Sequence, residues 1–345
     1  MWRKIIWGLG IVIFILTILY FDLISYGLRQ GWGQARLLWQ VQSFERFLAK
    51  SDYPDSTKQF FRKKIAMIRE IKTFAVEALG LKDNGNYEKI YDQKNDPVLW
   101  AVTASKPFAL EPYTWHYGPF GSMPYRGYFD STRAYQLRDR LAEEGFDADL
   151  YNPSAWSTLG WFKDPVLSNM LYWSEGHLAA LIIHEMTHGT IWLTGEVDYN
   201  ENLADFVGDY GAKRYLIKKY GKTSKEYLDF VNSLSDSEKF SQHLLRGAQS
   251  LDKFYSQLPE KLPLSEKKKR KAQKIKQIVS AIDTLSFARP EHYRRVFAGE
   301  LPNNTLFMSY RRYRGKQGDF EKICREKFGN DLRRYVAYLK ERFPA

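Results

Sequence analysis

The chain reads as an α+β fold, mainly helical, with one small antiparallel sheet and a transmembrane helix at its N-terminus. Three observations carry that expectation. Apolar residues recur at helical spacing over most of the length, as at Phe61, Ile65, Ile68 and Ile71. Between residues 98 and 151 the pattern changes to short aromatic and β-branched runs broken by glycine and proline, which suits strands. Residues 5–21 form an uncharged apolar stretch.

Composition sets the limits. A 345-residue chain with 44% apolar and 16% aromatic content is not disordered and has ample length for a core. Its single cysteine, Cys324, excludes an intramolecular disulfide and any thiolate cluster, so a metal site has to be built from histidine and carboxylate. No internal repeat or low-complexity linker divides the chain. Residues 26–345 are therefore expected to form one unit behind an anchor at 1–25.

Taken in order, residues 5–21 follow Arg3 and Lys4 and are closed by Asp22. As a helix they span about 26 Å, the short end for a hydrocarbon core of roughly 30 Å. The two basic residues place the N-terminus in the cytoplasm and the remainder on the periplasmic side. No A-x-A-like site follows, so the segment is expected to stay as a single-pass signal anchor. Apolar periodicity predicts helices over 35–48 and 57–79, the second ended by Gly80, with a turn at Asp83-Asn84-Gly85-Asn86. The runs LWAVTAS, YTWHYGPFGSMPYRGYF and DADLYN predict a short antiparallel sheet with a bent hairpin. A helix over 131–144 sets Leu137 and Leu141 on one face. Helices follow at about 174–194 and 198–220, then a helical hairpin at about 224–287, a turn at 301–304 and a closing helix over 331–342.

Much of the net charge of +12 comes from EKKKRKAQKIK at 266–276. On a helix this is a solvated face; beside an anionic membrane it is an attraction of about 1 kcal/mol per basic residue near the lipid. Nucleic acid is not an expected partner for a chain held outside the cytoplasm.

The chemistry concentrates in LIIHEMTHGTIWLTGEVDYNENLAD at 181–205. His184, Glu185 and His188 form H-E-x-x-H, and residues four apart lie on one helix face, so two imidazoles can grip one ion. Glu185 leaves the helix about 100° away from His184, in reach of a water on that ion and suited to act as general base. A hydrolytic site needs a third protein ligand and one open position, and Glu201 on the next helix supplies the ligand. Glu201 and Asp205 share a face at i, i+4. The bland alternative is a buried helix with two incidental histidines, since Ile182, Ile183, Ile191 and Leu193 would bury it either way. Ala204, Gly208, Gly211 and Gly189 put small side chains on both helices, either for the close approach a shared ion requires or as ordinary packing.

H-E-x-x-H followed by N-E-x-x-x-D resembles the thermolysin-type gluzincins. That resemblance implies a zincin-like metallopeptidase fold with one Zn2+ held by His184, His188 and Glu201. It also implies that Asp205 accepts a hydrogen bond from His184 and Asn200 one from His188, fixing both rings. The likeness extends further. Gly33-Gln34 with Leu37-Leu38, Phe74-Ala75 before Leu79, PYRGYFD at 124–130, STLGWF at 157–162 with Asp164-Pro165, and Asn303-Asn304 together resemble the bacterial predicted aminopeptidase family. This covers nearly all of the exported part and implies a peptide substrate and aminopeptidase action. Two departures stand out. Many members carry a lipobox cysteine before the segment matching 26–38, where this chain has Asp22 and Ser25, and there is no G-x-M-E-N motif of the kind that binds a free amine in well-known zinc aminopeptidases.

The alternatives are a zinc endopeptidase, a cell-wall peptide amidase, or a non-catalytic scaffold stapled by zinc. Glu185 speaks against the scaffold, because a structural site fills its fourth position and has no use for a base. For the oxyanion donor, Arg126, Tyr128, Tyr293 and Tyr310 are candidates that spacing does not separate. Arg126 and Asp130 also suit the carboxylate and amine of a peptide terminus, or an internal ion pair.

Overall fold

The computed structural model describes residues 2, 6, 7, 20–50, 52–117, 121–153, 163–297, 299–313 and 317–345. The core of the expected membrane helix, residues 8–19, lies outside these, as does the whole STLGWF segment. Among the described residues no helix is long and apolar enough to cross a membrane.

The chain enters through helix α1 (Phe21–Gln40), the short α2 (Phe44–Lys50) and the long α3 (Asp55–Leu79). The helix expected over 35–48 is two helices. The periodicity continues across the break, but the Gln42 backbone turns aside to exchange two hydrogen bonds with Ile90, each 2.9 Å. A contact from 48 residues away in sequence overrides the local pattern. At the end of α3, Gly80 takes the left-handed conformation (φ +77°), and Gly80 and Leu81 donate back to Val76 and Ala75.

The strand-like region forms a three-stranded antiparallel sheet ordered β5-β2-β6: β2 (Trp100–Ser105) in the middle, β5 (Tyr125–Tyr128) and β6 (Asp147–Tyr151) outside. The bent hairpin makes its own pair, β3 (Trp115–His116) with β4 (Ser122–Met123). A parallel pair of two-residue strands, β1 (Ile90–Tyr91) with β7 (Val166–Leu167), was not expected from the sequence. Helix α4 (Ser131–Glu143) is capped by the Asp130 carboxylate on Thr132 N and lays Ala134, Leu137 and Leu141 on Val102 and Ala104 of the sheet.

The two helices that matter most come next. Helix α5 (Glu175–His188) starts at Ser174, whose hydroxyl accepts from His177 N, and ends six residues earlier than expected. Thr190 and Trp192 explain the early end. The Thr190 hydroxyl donates to Met186 O while accepting from Lys82 N, and Trp192 N donates to Phe343 O near the C-terminus. Helix α6 (Val197–Tyr220) packs along α5. Leu178, Ala179, Ile182 and Ile183 of α5 are fully buried with Leu203 and Val207 of α6, Ile68 and Ile71 of α3, and Val336 of the C-terminal helix. Full burial of one such aliphatic side chain contributes about 1.5–3 kcal/mol. The chemistry therefore sits on the best-packed part of the molecule.

The hairpin is α7 (Lys225–Ser256) and α8 (Leu264–Ser280), with α9 (Pro290–Arg295), α10 (Asn304–Tyr313), α11 (Gln317–Phe328) and α12 (Leu332–Arg342) after it. Phe240, Leu244 and Leu251 of α7 meet Ile275 and Ile278 of α8 and Phe307 of α10 in a second cluster. Asn304 ties this cluster to the sheet: fully buried, it accepts from Tyr255 Oη (2.7 Å), donates its amide to Lys106 O (2.9 Å) and its backbone N–H to Asp147. Lys271 of the basic stretch is also buried, ion-paired to Asp147, while Lys268, Lys269 and Lys276 point outward.

Candidate metal centre

His184 and His188, one turn apart near the end of α5, turn their imidazoles toward Glu201 in the first turns of α6. The Nε2 atoms of the two histidines are 3.0 Å apart. Glu201 Oε2 lies 3.6 Å from His184 Nε2, and Oε1 lies 3.4 Å from His188 Nε2. Among the described residues these three form the group able to hold a metal ion. Bonds of about 2.05 Å at tetrahedral angles separate neighbouring ligand atoms by about 3.3 Å, so all three spacings fit zinc. The donor set, two imidazoles and a carboxylate, suits it as well.

Asp205, one turn beyond Glu201, accepts from the other ring nitrogen of His184, with Nδ1 and Oδ1 2.9 Å apart. A proton on Nδ1 leaves the Nε2 lone pair facing the cluster. Asn200 has different partners from those expected. Its amide accepts from Leu193 N (2.9 Å) and donates to Leu193 O (2.8 Å), so it pins the loop between α5 and α6 instead of orienting His188. His188 packs its ring edge-on against Trp192.

Electrostatics follow from burial among charges. Burial pushes the Glu185 carboxyl up to about 7, opposed by His184 and reinforced by Glu201 and Asp164. Burial alone would lower His184, but its bonds to Asp205 and Glu201 outweigh it and raise the ring to about 10. Burial and the charge of His184 take His188 down to about 4. A proton on His184 thus disfavours one on His188.

The helix contact that brings the ligands together is tight. A Cβ on Gly208 of α6 would stand 2.7 Å from Ala180 O and 3.3 Å from His184 Cβ, and one on Gly211 would stand 2.9 Å from Leu79. At Gly208 the obstacle is backbone, which cannot give way without moving the helices, whereas at Gly211 it is the tips of the Leu79 and Ile183 side chains.

A wall of the site comes from the turn after α3. Asn84 packs on Gly189 at the end of α5, and the buried Lys72 holds the turn by donating to Asn86 O (2.8 Å) and pairing with Asp83 and Glu88. Tyr87, held at φ +61°, donates its N–H to Asp164 O. Its hydroxyl is buried without a hydrogen-bond partner among the described residues. Burial first, then the charges of Glu185 and Asp164, push its pKa well up. Sequence reasoning passed over this hydroxyl: one tyrosine among 23 carries no signal beyond the adjoining Asn-Gly turn and the Asp164-Pro165 pair.

The four oxyanion candidates lie elsewhere in the fold. Arg126 and Tyr128 line a cavity beneath α1. Tyr293 stacks on Phe287 and lies tilted against Phe240, and Tyr310 packs edge-on to Phe240, in the second cluster. Asp130 caps α4 and lies 3.5 Å from Arg133, while Arg126 has no carboxylate partner among the described residues.

Comparison with known proteins gives one relationship. No curated protein and no solved structure matches the chain. A family model described as "Putative aminopeptidase" matches residues 25–342, nearly the whole described chain, and the chain belongs to that family.

Proposed function

We propose that the chain is a zinc metallopeptidase, an aminopeptidase by its family, in which His184, His188 and Glu201 hold one Zn2+ and Glu185 is the general base. The observation that carries this reading is the convergence of two imidazole nitrogens, 3.0 Å apart, on the Glu201 carboxylate, whose two oxygens lie 3.6 and 3.4 Å from them, with His184 fixed from behind by Asp205. A dication there supplies Lewis acidity, which makes the attacking water more acidic and polarises the scissile carbonyl. Glu185 takes the proton from that water and delivers it to the leaving amine. Asp205 holds the His184 ring in register and balances the charge that gathers on it. The Tyr87 hydroxyl is a buried donor with no partner among the described residues, and it suits the oxygen of the tetrahedral species.

Location belongs to the same proposal. Residues 5–21 anchor the chain and the rest faces the periplasm. A reporter fused after Ala345 is expected to be active only on that side; activity in the cytoplasm would reverse the topology.

The deciding experiment is Glu185→Gln. The variant should keep its metal and lose peptide hydrolysis by about a hundredfold or more. Full activity in Glu185→Gln would remove the mechanism, and loss of metal would turn Glu185 into a ligand. A peptide mixture incubated with and without chelator tells release of single N-terminal residues from internal cuts. The missing G-x-M-E-N motif gives that second outcome a specific reason.

A further inference from the structure

Beneath α1 lies a cavity of about 920 Å³ that contains none of the metal-centre residues. Five arginines line it: Arg29 and Arg36 from α1, Arg126 from β5, Arg133 and Arg140 from α4. Three aspartates, Asp22, Asp96 and Asp130, line it too, and Asp130 is already engaged with Arg133 and Thr132 N. Arg29, Arg36 and Arg126 have no carboxylate partner among the described residues. The Nε of Arg126 is buried without a hydrogen-bond partner, and its guanidinium lies over the Tyr26 ring at 4.2 Å. A buried guanidinium nitrogen without an acceptor costs free energy that an anionic ligand would recover.

The outer face of the same helix is the reverse of a solvated one. Phe21, Ile24, Leu28, Trp32 and Trp39 are 41–73% exposed. At 100° per residue they fall within an arc of about 80°, a single stripe. Gly33 and Leu37, on the opposite face, pack inward. Arg29 and Arg36 border one edge of the stripe, and Leu28 and Trp32 of the stripe also line the cavity, so the apolar face with its tryptophans runs directly into the arginine-lined space. That is the pattern of a helix at a bilayer interface, where aromatic rings sit at headgroup level and arginines meet phosphate.

We propose that the arginine-lined cavity holds the phosphate-bearing headgroup of an anionic phospholipid while the outer stripe of α1 lies against the acyl chains of the same bilayer. Charge complementarity selects this occupant. The cavity has an arginine excess, the chain as a whole carries +12, and the stripe adjoins the apolar residues 5–21. The inference stands apart from the metal chemistry, because neither cavity nor stripe includes a residue of the centre.

The test uses the full chain in a mild nonionic detergent and native mass spectrometry of the lipid that stays bound. Phosphatidylglycerol, phosphatidylcholine and inorganic phosphate are offered separately and in competition. Phosphatidylglycerol is expected to be retained one to one in preference to phosphatidylcholine. The double variant Arg29→Gln, Arg36→Gln should lower that preference about 10- to 30-fold. Both side chains are exposed and unpaired, so folding is not at stake, and Arg29→Lys with Arg36→Lys should keep most of the preference. Equal retention of the two lipids, or an unchanged preference in the glutamine variant, would overturn the proposal. Displacement of phosphatidylglycerol by an equal concentration of inorganic phosphate would make this a soluble-anion site instead. A chain that dimerises through Trp32 and Trp39 without headgroup preference would assign the stripe to a second copy.

Discussion

Gly208→Ala tests whether the metal centre depends on how closely α5 and α6 approach. The added methyl would start 2.7 Å from the Ala180 carbonyl oxygen, whereas contacts below 3.0 Å essentially never occur for a real Cβ. The obstacle is backbone, so no rotamer relieves it, and the helices must separate by at least about 0.3 Å. Ala180 lies one turn before His184, and Gly208 lies three residues after Asp205, so the wedge acts beside the ligands. Metal sites tolerate ligand shifts of about 0.2 Å. Replacing glycine by alanine in a helix gains about 0.8–1 kcal/mol of propensity. Overpacking costs about 1–3 kcal/mol. The net change in stability is therefore small, about 0–2 kcal/mol, and the larger loss should appear in zinc affinity, about 10- to 100-fold as for other residues that support ligands. Competition against a chromogenic chelator reads the affinity, and a denaturant titration reads the stability. Gly31→Ala on α1, where nothing lies within 4 Å, is the control and should be neutral or slightly stabilising. Wild-type zinc affinity in Gly208→Ala would refute the claim that close helix approach sets the ligand spacing.

Three further outcomes are expected. Asp205→Asn keeps the shape but removes the charge behind His184, and should weaken zinc by about tenfold, read by the same competition; an unchanged affinity would leave Asp205 without a role. Tyr87→Phe deletes a buried hydroxyl that has no partner among the described residues. It should leave metal content and stability unchanged, or raise stability by about 1 kcal/mol, while peptide hydrolysis falls about tenfold or more. Undiminished hydrolysis would make the hydroxyl a packing accident. Lys72→Met removes a buried ammonium from Asn86 O, Asp83 and Glu88, and should cost about 1–3 kcal/mol in a denaturant titration, since both carboxylates remain half exposed. No loss would mean that the turn carrying Tyr87 is held by its other contacts.

The grouping of His184, His188 and Glu201 was legible because its spacing is local. His184 and His188 are one turn apart on one helix, Glu201 and Asp205 one turn apart on the next, and such spacing survives any detail of packing. Asn200 was misplaced for the converse reason: an asparagine beside a ligand can face either the ring or the loop, and only the position of Leu193 decides. The break between α1 and α2 escaped notice because Gln42 is turned by Ile90. The β1–β7 pair escaped because two-residue strands have no period to detect. Tyr87 illustrates the limit most clearly. Its value lies in what it fails to bond, and an absent partner is a property of the fold alone.

The two helices are coupled at one ring. His184 is held at both nitrogens by carboxylates from successive turns of α6, Nδ1 by Asp205 at 2.9 Å and Nε2 facing Glu201 at 3.6 Å. Contacts with α6 then run in the opposite direction along α5: His188 meets Glu201, His184 meets Asp205, and Ala180 meets Gly208. A slip of α6 by one residue would turn Glu201 and Asp205 away by about 100° and bring a side chain to the place Gly208 keeps clear. The acid-to-acid spacing of N-E-x-x-x-D and the glycine that follows it thus answer one geometric requirement. A pair of helices must stand close enough, and in one register only, for a single imidazole to be oriented from behind by Asp205 while its other nitrogen faces Glu201 and His188.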